Sequence, residues 1–177
     1  MIFRETELPG AFVVEPEPIP DERGSFARIF DEAEFAERGL DTAFGQWSVS
    51  FNERAGTLRG LHFQREPHAE SKLVRCTRGA LYDVIVDLRP ASPAFRRWTA
   101  VELSAENRLA LYIPKGLAHG FQTLVDGTEV AYAISEPYEP ESAGGVRWDD
   151  PAFGIDWPEV DERMMSEKDR SWPDFTA

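Results

Sequence analysis

The chain has 177 residues, of which 42% are hydrophobic and 29% charged, and its formal net charge is −13. This length fits a single domain over residues 1–177, large enough to bury a core. The negative charge disfavours a nucleic-acid partner, because affinity for phosphate polymers depends on clustered positive charge. One cysteine, an N-terminal stretch without the apolar core of a signal peptide, and no bilayer-length apolar run predict a cytoplasmic protein with no membrane partner.

Thirteen prolines and thirteen glycines separate short runs that are rich in β-branched and aromatic residues. In chain order these runs are AFVVEP, QWSVSF, LRGLHFQ, KLVRC, ALYDVIVDL, RWTAVEL, LALYIP, HGFQTL and TEVAYAI. Such spacing predicts an all-β sandwich or barrel. One early helix is expected in DEAEFAERG, with Asp31 as its N-cap and Gly39 at its end. The acidic segment after Trp148 is expected to pack over the barrel as loops and short helices.

The run LRGLHFQ, residues 58–64, places a charged Arg59, a glycine and an ionisable His62 in an otherwise apolar strand. Strand interiors disfavour both glycine and unpaired charge, and sequences usually break such rules near functional sites. A core histidine with satisfied hydrogen bonds and an arginine that reaches solvent is an equally good reading of this run alone.

The positive charges of this acidic chain are concentrated locally. Residues 51–80 contain six basic and three acidic residues. This excess predicts a small anionic ligand, although arginines that merely solvate strand faces would give the same pattern.

Strand alternation places Lys72 and Tyr132 on the inward face of their runs. In LRGLHFQ, alternation separates Arg59 from His62 unless Gly60 carries a β-bulge that lets both reach one site. His62, Lys72 and Tyr132 can therefore converge inside a barrel, where ligand cavities lie.

These three side chains suit proton abstraction next to a carbonyl group. A histidine is the natural base near neutral pH, a buried lysine can stabilise a developing oxyanion, and a tyrosine can return a proton. Purely structural roles remain open, since Lys72 could pair with Asp83 across strands and Tyr132 could be a core aromatic.

The segment PKGLAH, residues 114–119, has the proline, glycine and histidine spacing of a motif in cupin barrels that often bind a metal. The remaining candidate ligands are His62 with Gln64, and His68 in a predicted loop. Because two histidines without a clear third ligand make a poor transition-metal site, no metal and no other cofactor is expected.

Longer motifs extend over nearly the whole chain: DERGSFARIF, GTLRGLHFQREPHAESKLVRC, YDVIVDLRPASPAF, LYIPKGLAHGFQTL, TEVAY, RWDDPAFGIDWP and SEKD. In these segments the chain resembles the dTDP-4-dehydrorhamnose 3,5-epimerases, metal-free members of the cupin-type jelly-roll group. The resemblance implies an all-β jelly-roll barrel, a small-molecule sugar-nucleotide substrate, and a homodimer in which an early strand near GSFARIF crosses to the partner.

The resemblance also implies catalytic roles. His62 matches the general base that removes the proton next to the 4-keto group, and Asp169 matches the carboxylate that orients its imidazole. Lys72 matches the lysine that stabilises the enolate oxygen, and Tyr132 matches the acid that reprotonates from the opposite face. The implied reaction inverts carbon 3, carbon 5 or both in a nucleoside-diphosphate 4-keto-6-deoxyhexose, for deoxysugar or polysaccharide biosynthesis. A related keto-isomerase or a non-catalytic binding module is the alternative.

Substrate-binding roles follow in the same way. Tyr138 matches an aromatic that stacks on the nucleotide base, and Arg23 and Arg59 match arginines that bind the diphosphate. His119 and Lys168 match further substrate-contacting positions.

Three positions depart from the pattern of the rhamnose-pathway enzymes. Arg28 and Ala143 replace glutamates, and the stretch that begins at Gln46 replaces one that contains an asparagine. Arg28 and Gln46 are therefore expected to affect how the substrate is held rather than proton transfer, which leaves the exact sugar and base open.

Overall fold

Two antiparallel sheets face each other in the computed structural model, which describes residues 1–176. The first sheet has the strand order β1-β2-β10-β7-β12-β5, and the second has the order β13-β6-β11-β8-β9. A separate hairpin pairs β3 with β4. The strand bounds are β1 Ile2–Glu5, β2 Phe12–Glu15, β3 Ile19–Asp21, β4 Gly24–Phe26, β5 Gln46–Asn52, β6 Leu58–Gln64, β7 Lys72–Arg78, β8 Ala80–Asp87, β9 Trp98–Ser104, β10 Ala110–Ile113, β11 Leu117–Thr123, β12 Thr128–Ile134 and β13 Ala143–Gly145.

The core lies between the two sheets. Val74 and Leu111 of the first sheet and Ile85 and Phe121 of the second belong to one buried cluster. Full burial of one such side chain contributes about 1.5–3 kcal/mol to folding. The alternation of inward apolar and outward residues thus closes the sheets into the jelly-roll barrel that the sequence predicts, and each predicted run forms a strand.

Two short helices flank the barrel, α1 at Glu32–Ala36 and α2 at Glu167–Arg170. The Asp31 side chain caps α1 as predicted, accepting hydrogen bonds from the backbone N–H groups of Ala33 and Glu34 at 3.1 and 3.2 Å. Phe35 of α1 is fully buried against the outer face of the first sheet. Neither helix in residues 1–176 has the length and apolarity that crossing a bilayer would require.

The strand pattern does not predict β1, β3 or β13, whereas the family resemblance placed an early strand near GSFARIF, where β4 lies. β1 (IFRE) is mostly exposed, and β13 (AGG) has no β-branched or aromatic residue, so neither carries the pattern of a buried strand. β13 is stabilised by pairing with a distant segment, since Gly145 pairs with His62, whereas β1 pairs with nearby β2 and β3 with β4.

A β-bulge at Gly60 shapes β6. His119 of β11 pairs with His62, but two residues further on Phe121 pairs with Arg59, so β6 contains one extra residue. Gly60 has φ +129°, and a Cβ there would lie 2.5 Å from the Cα of Gly120. Only glycine fits this close approach, and the bulge brings both Arg59 and His62 to the same cavity.

Candidate active site

A cavity of about 890 Å³ opens into the barrel between the sheets. This volume is in the range of sites that bind small molecules. The strands β5, β7 and β12 of the first sheet and β6 and β11 of the second supply its walls, and α2 contributes to its rim. The lining includes these predicted site residues: Gln46, Arg59, His62, Lys72, His119, Tyr132, Tyr138, Lys168 and Asp169.

His62 and Asp169 form a hydrogen-bonded pair in this cavity. Nε2 of His62 lies 2.6 Å from Oδ1 of Asp169, and the two side chains are 44% and 6% exposed. Nδ1 of His62 makes no hydrogen bond within residues 1–176, so it is the ring nitrogen available to a ligand.

A further donor to its carboxylate and a helix cap hold Asp169 in place. Its Oδ2 accepts a hydrogen bond from the Gly60 N–H at 3.3 Å, and its own N–H donates to Oγ of Ser166 at 3.1 Å, capping α2. Burial by itself would raise the pKa of Asp169, but the hydrogen bond and charge of His62, with the bond from Gly60, hold that pKa below its ordinary value. Asp169 is therefore an acceptor, and Nε2 of His62 carries the proton.

Lys72 extends into the same cavity, with its Nζ 2.8 Å from Oε1 of Glu70 and both side chains 11% exposed. Lys72 therefore does not pair with Asp83, the structural alternative that the sequence left open; Asp83 pairs with His119 instead. Because Glu70 also lines the cavity, a buried ammonium–carboxylate pair faces the ligand space.

The hydroxyl of Tyr132 lies 3.1 Å from Oγ of Ser50, and the two groups share a hydrogen bond. Burial raises the pKa of Tyr132 well above its ordinary range; the bond to Ser50 and the charge of Arg59 oppose this rise, while the charge of Asp83 adds to it. The phenol thus keeps its proton at neutral pH, as a proton donor must.

A second histidine–carboxylate pair lies deeper in the barrel. Nε2 of His119 is 2.6 Å from Oδ1 of Asp83, with side chains 5% and 0% exposed. Oδ2 of Asp83 is buried and has no hydrogen-bond partner in the described part of the chain. The pair is adjacent to Tyr132, whose ring centroid lies 6.4 Å from that of His119.

Cationic and aromatic side chains surround the rest of the cavity. Nε of Arg59 donates to Oδ1 of Asn52 at 2.8 Å, which fixes its guanidinium at the cavity wall. Nζ of Lys168 lies 5.5 Å from the ring centroid of Trp172. Tyr138 is 59% exposed, so its ring is accessible from the cavity.

Arg23 and Arg28 lie outside the cavity formed by residues 1–176. Arg23 pairs with Asp21 in the β3–β4 hairpin at 2.7 Å, and Arg28 pairs with Asp31 at 3.2 Å. Their side chains are 82% and 61% exposed. Within one chain these two arginines are not brought together with the other predicted site residues.

No group of three or more histidine, cysteine or acidic side chains in residues 1–176 is arranged to hold a metal ion. His62 and His119 each direct Nε2 to a carboxylate instead. The amide of Gln64 is bonded to the backbone of neighbouring loops, and His68 lies in the loop between β6 and β7, as predicted.

Ser50 and Glu70 were not predicted as site residues, and Asp83 was expected only as a possible partner of Lys72. Alternation along β5 places Ser50 on the cavity side with Gln46, a signal that was available. Glu70 precedes its strand, so no alternation applied to it.

The barrel and its cavity define an acid–base site for a small molecule. The family model for dTDP-4-dehydrorhamnose 3,5-epimerase matches residues 5–177. A dTDP-4-dehydrorhamnose 3,5-epimerase of Methanothermobacter thermautotrophicus is 51% identical over 172 residues, covering 96% of this chain and 92% of the relative. The chain therefore belongs to the dTDP-4-dehydrorhamnose 3,5-epimerase family, as its motifs indicate.

Solved structures agree in fold as well as in sequence. The dTDP-4-dehydrorhamnose 3,5-epimerase of Elizabethkingia anophelis superposes with a TM-score of 0.96 at 40% identity, covering 99% of this chain and 96% of that one. The enzyme of Bacillus anthracis, solved with TDP and PPi bound, superposes with a TM-score of 0.93 at 42% identity, covering 98% and 99%.

Proposed function

We propose that this chain converts dTDP-4-dehydro-6-deoxy-D-glucose to dTDP-4-dehydro-L-rhamnose by inverting carbons 3 and 5, as a step of dTDP-rhamnose biosynthesis. The observation that carries this proposal is the His62–Asp169 pair, which shares one cavity with Lys72 and Tyr132. The names of its relatives support the same reaction.

In the first half of the reaction, Nδ1 of His62 takes the proton from the carbon next to the ketone. The electrons of the broken C–H bond move to the ketone oxygen, giving an enolate. Asp169 stabilises the resulting imidazolium because its carboxylate accepts from Nε2 at 2.6 Å. The ammonium of Lys72 offsets the charge on the enolate oxygen.

In the second half, the Tyr132 hydroxyl protonates the same carbon from the opposite face, which inverts the configuration. The enolate returns to a ketone. The tyrosinate of Tyr132 then takes a proton from solvent, and the imidazolium of His62 releases its proton to solvent. Repeating this cycle at the second carbon completes the conversion without any net change in redox state. Because the pKa of Tyr132 lies above its ordinary range, its hydroxyl is protonated at neutral pH when the enolate forms.

The nucleotide half of the substrate is held at the cavity rim. Tyr138 stacks on the base, since its exposed ring offers a face to any base. Arg59 and Lys168 bind the diphosphate, to which guanidinium and ammonium groups are suited. His119 contacts the sugar from the barrel interior, and Gln46 lies at the mouth on β5.

A homodimer completes this site. Alternate residues of β5 face the cavity, while Trp47 and Val49 point outward and are 63% and 68% exposed. Ile19 and Phe26 of the β3–β4 hairpin are similarly exposed, at 67% and 68%. Mutual burial of such apolar surfaces would favour association. If the hairpin of one copy packs against β5 of the other, Arg23 and Arg28 reach the partner's cavity.

The proposed setting is the cytoplasm. Cys76 is buried and free, as expected for a chain that folds under reducing conditions.

Turnover of dTDP-4-dehydro-6-deoxy-D-glucose tests the function directly, with the configuration of the product read by NMR. Inversion at both carbons supports the proposal, and inversion at one carbon identifies a single-carbon epimerase. Unchanged substrate together with tight dTDP binding would mean that the chain is a non-catalytic binding module.

A further inference from the structure

The side chain of Gln64, at the end of β6, links two loops beside the cavity. Its Nε2 donates to the carbonyl oxygens of His68 and Pro137 at 3.0 and 3.1 Å. Its Oε1 accepts from the N–H of Glu139 at 2.6 Å. Gln64 itself is 4% exposed, and its three hydrogen bonds are partly buried.

The partners fix the orientation of this amide. Two carbonyl oxygens and one N–H surround it, and the reverse orientation would place the amide oxygen against the carbonyls. Both of its N–H donors are used, so Gln64 has no donor left for a ligand. Breaking the arrangement would leave the buried amide of Gln64 and its partly buried backbone partners without these hydrogen bonds, which is costly.

These bonds bracket Tyr138. The carbonyl of Pro137 and the N–H of Glu139, on either side of Tyr138 in the chain, are both held by the one amide. Strand pairing adds to the restraint, because Ala143 of β13 pairs with Gln64 itself. The backbone of Tyr138 is therefore fixed to the strand that carries His62, while its ring remains 59% exposed.

We propose that Gln64 is a positioning residue that holds Tyr138 in place to stack on the nucleotide base, and so determines nucleotide affinity rather than the rate of proton transfer. The inference rests on the proposed function, which gives Tyr138 its stacking role. Immobilising an aromatic before binding lowers the conformational entropy lost on binding. Affinity for the nucleotide therefore depends on Gln64 although its amide is engaged with the backbone.

The experiment measures dTDP affinity by calorimetry and steady-state kinetics with the sugar nucleotide in Gln64→Met, which has similar length but no amide. We expect the Kd for dTDP and the KM to rise about tenfold, while kcat stays within about twofold. A fall in kcat with the Kd unchanged would overturn the proposal.

A double-mutant cycle isolates the path through Tyr138. In a Tyr138→Ala background, Gln64→Met should change the Kd by less than about twofold, because the ring that it positions is absent. The same tenfold loss in that background would show that Gln64 acts by another route.

Gln122→Met is a matched control. Gln122 is fully buried on β11, donates to the Pro158 carbonyl at 3.0 Å and accepts from Arg163 at 2.7 Å, but lies outside the cavity lining of residues 1–176. It should show a comparable loss of thermal stability with an unchanged dTDP Kd. If Gln122→Met raised the Kd as much as Gln64→Met does, the effect of Gln64→Met would be explained by general destabilisation, and the proposal would fail.

Hydrogen exchange of the wild-type protein provides a test that needs no variant. The amide of Glu139 should be protected, since it donates to a buried oxygen, and rapid exchange would contradict the proposal even if Gln64→Met does not fold. Failure of the wild type to bind dTDP would count against the proposed function, whereas normal binding with an unaffected Gln64→Met would count only against the role of Gln64.

Discussion

Oδ1 of Asp169 lies 2.6 Å from Nε2 of His62, although 107 positions separate the two residues in the chain. The contact joins a strand of the second sheet to a helix of only four residues near the C-terminus. Asp169 is almost fully buried, and His62 is open to the cavity. This arrangement orients the imidazole and leaves its Nδ1 without a hydrogen-bond partner in residues 1–176.

Asp169→Asn should lower kcat by about tenfold or more, with little change in dTDP affinity. An amide can still occupy the position, but it no longer stabilises the imidazolium and it can favour the wrong tautomer of His62. Steady-state kinetics would measure the fall in kcat, and dTDP titration would measure whether the affinity is unchanged. An unchanged kcat would leave Asp169 with only a structural role.

The same substitution should alter acid stability. The pKa of Asp169 is depressed below 3.8 in the folded state, so its contribution to stability is present above the unfolded pKa and is lost as pH falls through the folded pKa. The difference in free energy of unfolding between wild type and Asp169→Asn should therefore shrink from about pH 5 toward pH 3. Urea unfolding across this range measures it, and a constant difference would show that the carboxylate is not stabilised by folding.

Tyr132→Phe removes one hydroxyl while keeping the aromatic ring. If Tyr132 is the acid, the variant should still exchange the sugar proton with solvent, because His62 is intact, but inversion should fall by about 10²–10⁴-fold. NMR of the sugar in heavy water reports both events. Near-normal epimerisation would identify Tyr132 as a core aromatic whose bond to Ser50 is structural.

Mixing two inactive variants tests the proposed dimer. Arg23→Ala and His62→Ala should each have little activity alone, but hybrids formed by co-refolding should recover activity, because one of the two sites then has His62 from one chain and Arg23 from the other. Arg23 acting within its own chain predicts no recovery. Light scattering should first give twice the 20.0 kDa of one chain.

Local features of the sequence were enough to predict β2, the strands β5 to β12, and α1. Turn-forming residues set the strand boundaries, and the Asp31 cap acts within three residues. The β-bulge was also foreseeable, since Gly60 interrupts a strand between Arg59 and His62. In each case the interaction that decides the structure joins residues close together in the chain or follows from strand alternation.

Pairings between distant segments could not be predicted in the same way. Alternation shows that Lys72 points inward, but not that its partner is Glu70 rather than Asp83. The bonds of Gln64 to Pro137 and Glu139 span more than seventy residues and depend on the completed barrel. The family resemblance suggested roles for Arg23 and Arg28, yet their distance from the cavity became apparent only in the fold.

Deuterium exchange in heavy water tests most directly whether His62 is the base. Wild type incubated with dTDP-4-dehydro-6-deoxy-D-glucose should incorporate deuterium at carbons 3 and 5, as read by NMR. His62→Ala should show no uptake above the uncatalysed rate while binding dTDP with wild-type affinity, since binding energy comes from the nucleotide contacts. Exchange at the wild-type rate in His62→Ala would contradict the assignment of His62 as the base.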